Sequence, residues 1–162
     1  MKQLKITETQ QKDITNIQTL WADGEVMTYV GFPDGLKQTK DQMLNWYEWI
    51  DKHRPLVNHY SIYKDNVFCG ETFYHINPND HKASLDIKLH KHARGKGIAF
   101  IALSYAIDKA FMQGADIVWV DPHKDNHKAL LLYEKLGFKV KEHITSKEHQ
   151  DALYMEKTKE DE

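Results

Sequence analysis

Leu4 and Ile6 alternate with polar neighbours at the period of a short strand, and Ile14, Ile17, Leu20 and Trp21 then recur at helical spacing. Gly31 to Gly35, with Pro33 and Asp34 between them, reads as a loop. Beyond it, Thr39 and Gln42 form a capping-box signature that leads into Met43, Trp46, Tyr47 and Ile50 on one face, a second helix ending near His53-Arg54-Pro55. Residues 58–63, 67–76 and 82–89 are rich in β-branched and aromatic side chains. Lys64-Asp65-Asn66 and Asn77-Pro78-Asn79-Asp80 separate them, so they read as an antiparallel meander. Ala99, Ala102, Leu103, Ala106, Ile107 and Ala110 then make an apolar helical stripe that stops at Gly114. Ile117-Val118-Trp119-Val120 is a continuous apolar run, as in a strand covered on both sides. Asn126 caps a further helix whose Ala129, Leu132, Tyr133 and Leu136 share a face, and Gly137 closes it. Phe138 and Val140, then Leu153, Tyr154 and Met155, suggest two last strands.

Composition narrows the class. At 162 residues, 41% hydrophobic and 28% charged, the chain fits a single globular domain. We expect that domain to span residues 1–157, with a charged tail at 158–162. No segment approaches the about 18 consecutive apolar residues of a membrane span. Met1 to Thr7 lacks an apolar core and a cleavage site, so the expected address is cytoplasmic. A formal net charge of −2 gives no broad footprint for nucleic acid. Any phosphate binding must therefore be local. The single cysteine, Cys69, lies among Val67, Phe68 and Phe73 and reads as a buried structural thiol.

The local anion site is in Leu89-His90-Lys91-His92-Ala93-Arg94-Gly95-Lys96-Gly97-Ile98-Ala99, which a strand enters and an amphipathic helix leaves. Two glycines one residue apart let the backbone bend tightly, so that several N–H groups converge on one cluster of oxygens. The helix adds its unpaired N-terminal donors and the positive end of its dipole. Gly95-Lys96-Gly97 lacks the longer glycine spacing and the following Ser/Thr of a nucleotide-kinase loop. Ten histidines raise the question of a metal, but neither His90/His92 nor His123/His127 is completed by a cysteine or carboxylate ligand set, and no metal is expected.

The element order, with Arg94 to Ala99 and Asn126 to Phe138, resembles the GNAT (GCN5-related N-acetyltransferase) superfamily over nearly the whole chain, most specifically over residues 86–138. The resemblance implies a single-domain α/β (α+β) fold. Its central sheet is mixed but mostly antiparallel, with about seven strands flanked by about four helices and a splayed V between strands 4 and 5. It implies acetyl-CoA as cosubstrate. Arg94, Gly95, Lys96, Gly97, Ile98 and Ala99 would hold its pyrophosphate, mostly through backbone N–H, while Ile87 and Leu89 pair with the pantetheine amides. His92 stands where the family pattern carries Gln or Arg, so its contact with the anion would vary with pH. Asn126 matches the family's asparagine at the cofactor arm.

Acetyl transfer to an amine needs a neutral nucleophile, a polarised thioester carbonyl and an acid for the departing thiolate. Tyr133 is similar in position to the family's acid, and a phenol of pKa about 10 can support a thiol of about 8.5 as charge develops on sulfur. It reads equally as a core aromatic on its helix face. Asp86 and Glu71 are the alternative bases. Trp21, Glu25, Tyr29 and Asp34 fall where the fold builds its acceptor cleft, and aromatic plus acidic groups suit a cationic amine. The segment from Trp21 to Gly31 is similar to the ribosomal-protein and aminoglycoside 6′-acetyltransferase branches. The acceptor stays open between a small-molecule and a peptide amine. A homodimer is an expectation of the resemblance. A non-catalytic acyl-CoA sensor of the same fold is the alternative function.

Overall fold

The computed structural model describes residues 3–144 and 151–161. Seven strands form one sheet in the order β1-β2-β3-β4-β5-β7-β6. They are β1 Leu4–Glu8, β2 Val57–Lys64, β3 Val67–Ile76, β4 Lys82–Leu89, β5 Ile117–Val120, β6 Lys139–Ile144 and β7 Ala152–Thr158. The helices are α1 Ile14–Trp21, α2 Gly24–Met27, α3 Lys40–His53, α4 Ile98–Met112 and α5 His127–Lys135. Neighbouring strands run antiparallel except β4 and β5, which run parallel.

The meander forms where the pattern predicts it. Its first turn is closed by Asp65 and Asn66, with φ of 51° and 66°, the two consecutive positive angles that match the twist of a tight hairpin. Thr39 and Gln42 complete both halves of the capping box at the start of α3, Thr39 N–H donating to Gln42 Oε1 at 2.8 Å and Gln42 N–H to Thr39 Oγ1 at 3.2 Å. Side chains alternate across each strand, so the sheet presents two differently covered faces. On one, Tyr60, Tyr74, Leu85 and Val118 pack with Leu103, Ile107 and Phe111 of α4, with Tyr133 of α5 and with Leu136 just past its end. On the other, α1 and α3 bring Ile14, Ile17 and Met43 together with Trp21 and Trp46.

The feature that positions the site is where β4 loses a neighbour. β4 pairs with β3 from Ala83 to Leu89, but with β5 only over Lys82, Ala83 and Ser84. Beyond Ser84 the two parallel strands separate, leaving residues 85–89 with one unpaired edge. This is the expected V between strands 4 and 5.

Two details extend this picture. A fifth helix, the single turn α2, lies between Trp21 and the Gly31 loop, where four residues are too few to show a period. Asp23 caps it, Oδ1 accepting Glu25 N–H at 2.9 Å. Near the C-terminus, Lys157 and Thr158 pair with Val118 and Ile117 inside β7, and Lys159 N–H donates to the Asp116 carbonyl at 3.1 Å. Ladder bonds order these charged residues although composition suggests a free end. Glu162 lies outside the described residues.

Candidate active site

The glycine loop joins β4 to α4. His90 to Ala93 make a short turn, with Ala93 N–H to the His90 carbonyl at 3.0 Å and Arg94 N–H to the Lys91 carbonyl at 3.2 Å. Gly95 and Gly97 have φ of 73° and 78°, left-handed angles that turn successive N–H groups toward one side. A Cβ on Gly95 would meet nothing within 4 Å, so that side is open. The first bond that enters α4 is Ile101 N–H to the Gly97 carbonyl at 3.4 Å, which leaves the N–H groups of Ile98 and Ala99 in the donor-rich first turn. The Ile98 side chain is buried with Cys69, Leu89, Ala93 and Ala102 and anchors the loop from beneath. Burial pushes the Cys69 thiol up, as the structural reading of that residue requires.

His90 N–H donates across the β3–β4 pair to the Cys69 carbonyl at 2.9 Å. Backbone groups on adjacent strand residues point to opposite edges, so those of Leu89 and Ile87 face the unpaired side. The loop and the open edge of β4 together form a slot with donors along one wall and a cradle at its end. This arrangement fits a long ligand that carries amides and ends in a diphosphate.

The Arg94 side chain turns back toward the protein. Its Nε and Nη2 donate to the Leu89 carbonyl at 3.3 and 3.2 Å, and Nη2 also donates to the Glu25 carbonyl at 3.3 Å. The guanidinium thus braces the end of β4 against α2. His92 is exposed and stacks on His90 with centroids 5.5 Å apart. Burial and the facing His92 lower the His90 pKa, with Asp23, 3.8 Å away, working in the opposite sense.

Tyr133 is 6% exposed, packs edge-on to Phe138 at 5.5 Å, and its hydroxyl has no hydrogen-bond partner among the described residues. Burial, helped by the charges of Asp86 and Asp121, raises its pKa well above the ordinary 10 and keeps the phenol protonated. The core and acid readings of this residue are therefore compatible: the ring is core and the hydroxyl is free. Asn126 Oδ1 accepts Ala129 N–H at 3.3 Å and caps α5.

On the opposite face of the sheet, Trp21, Glu71, His59, Lys88 and Asp86 are brought together. Trp21 Nε1 donates to Glu71 Oε1 at 2.5 Å, His59 Nε2 lies 3.1 Å from Glu71 Oε2, and Lys88 Nζ lies 3.9 Å from the same oxygen. Lys88 also binds the Asp86 carboxylate directly. Burial would raise the Glu71 carboxyl, but the charges of His59 and Lys88 and the bonds from His59 and Trp21 outweigh it and hold the group at about 2. Asp86 keeps about a third of its side chain exposed. Trp21 stands edge-on to Trp46 at 4.9 Å. Glu25 is exposed and pairs with Lys91 at 3.9 Å, and Tyr29, 56% exposed, leans on His123 at 5.9 Å. Asp34 is exposed, and no contact ties it to Trp21, Glu25 or Tyr29 among the described residues. Its loop is drawn back onto α1 by Leu36 N–H, which donates to the Trp21 carbonyl at 2.7 Å.

His59 and Lys88 are members of this cluster that the sequence reading did not single out. The available signal was parity: His59, Ser61, Glu71, Asp86 and Lys88 occupy alternate positions of three adjacent central strands, so one face of the meander is polar although helices cover it.

The unpaired edge of β4, the glycine turn at the start of α4 and an acidic–aromatic face make up the candidate site. A protein-family model described as an acetyltransferase (GNAT) domain matches residues 3–139, and the chain belongs to that family. Membership places the domain among acetyl-CoA-dependent acyltransferases. The GCN5-related N-acetyltransferase 6, chloroplastic, of Arabidopsis thaliana is 37% identical over 79 residues, 49% of this chain, and the match spans 27% of that protein's length. The spermidine N-acetyltransferase of Vibrio cholerae, solved with CoA and spermine, superposes with a TM-score of 0.84 at 21% identity over 98% of this chain and 97% of that one. The ribosomal-protein-alanine N-acetyltransferase of Brucella melitensis gives a TM-score of 0.76 at 16% identity over 95% and 99%. At these identities the two structures establish the fold.

Proposed function

We propose that the protein transfers the acetyl group of acetyl-CoA to a primary amine by direct attack. The observation that carries this is the unpaired edge of β4 over residues 85–89, running into the Gly95–Gly97 cradle at the start of α4. Acetyl-CoA supplies an activated acetyl group as its thioester. The N–H groups of residues 95–99 grip the diphosphate, Ile87 and Leu89 bind the pantetheine amides, and Asn126, through the half of its amide not used in capping, steadies the same arm. Tyr133 donates its proton to the departing sulfur. Burial keeps the phenol protonated, so a proton is in place to be donated.

Asp86 is the better base of the two candidates. It is accessible, whereas Glu71 is buried and held ionised by three partners, so its affinity for a proton is low. Asp86 takes the ammonium proton, the neutral nitrogen attacks the thioester carbonyl, and as the carbon–sulfur bond breaks the second nitrogen proton replaces the one Tyr133 gives to sulfur. The acceptor meets Trp21, Glu25 and Tyr29, with Asp34 at the outer rim, an acidic and aromatic surface suited to a cation. Spermidine and a ribosomal-protein alanine, named for the similar structures, share one chemistry that suits this surface, an amine carrying positive charge.

Titration calorimetry with acetyl-CoA, followed by thiol release with a panel of polyamines, aminoglycosides and peptide N-termini, tests the reading. Micromolar-range binding and turnover on one class are expected. Absence of binding at millimolar ligand overturns it, and binding without turnover on any amine leaves the sensor function in its place.

A further inference from the structure

The mechanism leaves one group of buried polar side chains unused. Glu71 and His59 are 3% and 2% exposed, in the middle of the sheet, where aliphatic side chains would pack at no electrostatic cost. His59 is held at Nδ1, while Nε2 meets Glu71 as an ion-pair contact at 3.1 Å and not as an aligned hydrogen bond. Thr9 Oγ1 lies 2.6 Å from His59 Nδ1 and 2.7 Å from Ser61 Oγ, and Thr9 N–H donates to the His59 carbonyl at 2.8 Å. Trp46 stands edge-on to the imidazole at 4.8 Å. With Nδ1 engaged by Thr9, the other ring nitrogen can only face Glu71.

Glu71 divides its two oxygens between two directions. Oε1 takes the indole N–H of Trp21, and Oε2 faces His59 and Lys88. Lys88 in turn holds Asp86, two residues away on the same face of β4. Burial opposes the Lys88 charge, but the carboxylates of Asp86 and Glu71 more than restore it and keep the ammonium protonated. One carboxylate, reached from β3, is therefore tied both to the aromatic wall of the acceptor cleft and, through a single lysine, to the base.

We propose that Glu71, Lys88 and His59 form a buried positioning unit that aligns Trp21 and Asp86 for the incoming amine. The inference rests on the N-acetyltransferase reading and assigns Glu71 a role different from proton transfer. Glu71 makes no contact with the acetyl donor; it acts through the two groups that meet the acceptor. A base displaced by about 1 Å loses up to about 100-fold in rate.

The test compares Glu71→Gln, Lys88→Met and Lys88→Arg with the parent. Amine kcat and KM, the acetyl-CoA Kd by calorimetry and the thermal midpoint are measured for each. Glu71→Gln and Lys88→Met are expected to lower kcat/KM for the amine by ten- to 100-fold while acetyl-CoA affinity stays within twofold. Lys88→Arg should recover most of the loss, since it restores the cation. The double variant should lose little more than either single one, because both break the same connection. Trp21→Phe, at a partly exposed position, supplies a variant that removes the indole bond and keeps a ring; it should raise amine KM in the parent and have a smaller effect beside Glu71→Gln. Unchanged amine kinetics with a lowered thermal midpoint would reduce the unit to a structural one. Additive losses would overturn it too. Failure of the parent itself to bind acetyl-CoA would instead strike the reading underneath.

Discussion

Tyr133 joins two properties that seldom coincide, a ring locked in the core and a hydroxyl with no hydrogen-bond partner among the described residues. Tyr133→Phe keeps the packing with Phe138 and removes only the proton. It should lower kcat by about 100-fold, the usual scale for a lost general acid, with acetyl-CoA Kd unchanged by calorimetry. An equal fall in affinity would assign the hydroxyl to binding. Glu71 makes a prediction about stability. Its folded pKa of about 2 lies below the ordinary 4.5, so its contribution is complete above about pH 5 and disappears as the pH falls toward 2. Urea denaturation of the parent and Glu71→Gln should therefore show a stability difference that shrinks on the order of 3 kcal/mol across that window. A pH-independent difference would mean that the carboxylate is not held ionised.

At the level of elements, the cradle depends on two left-handed glycines at the junction of β4 and α4. Gly97→Ala places a Cβ at φ of 78°, which costs about 1 kcal/mol in the loop and should weaken acetyl-CoA binding at least tenfold by calorimetry. Thr39→Ala removes half of the α3 capping box and should cost about 1 kcal/mol in chemical denaturation, with acetyl-CoA affinity intact. The contrast between these variants separates a glycine needed for a ligand from a cap needed for a helix. Both features were legible in the chain. Glycine spacing and the Thr39–Gln42 pair are local signals, and strands 58–63, 67–76 and 82–89 follow from β-branched and aromatic richness bounded by turn residues. The one-turn α2 has no period to read. The direction of Arg94 was equally hidden: a guanidinium beside a glycine loop suggests an anion, and only the folded chain reveals the Leu89 and Glu25 carbonyls within its reach.

For the molecule as a whole, what the sequence could not supply is which edges stay unpaired. β4 and β5 each look like ordinary buried strands, and their divergence after Ser84 follows from the lengths of neighbours far apart in the chain. The polar cluster on the covered face has the same origin, since Thr9, Trp21, His59, Glu71 and Lys88 come from four strands and helices. The resemblance to a family implies the slot; the pairing register locates an unpaired edge of β4 beyond Ser84.

Titration of the isotope-labelled protein with acetyl-CoA, read as backbone amide shifts, examines that edge residue by residue. The largest changes are expected at Ile87, Leu89 and Gly95 to Ala99, with Tyr133 responding through its neighbours. Changes centred elsewhere, for example on the cavity lined by Tyr60, Tyr74 and Tyr105 at the far end of α4, or no change at saturating ligand, would contradict the placement of the donor in the slot.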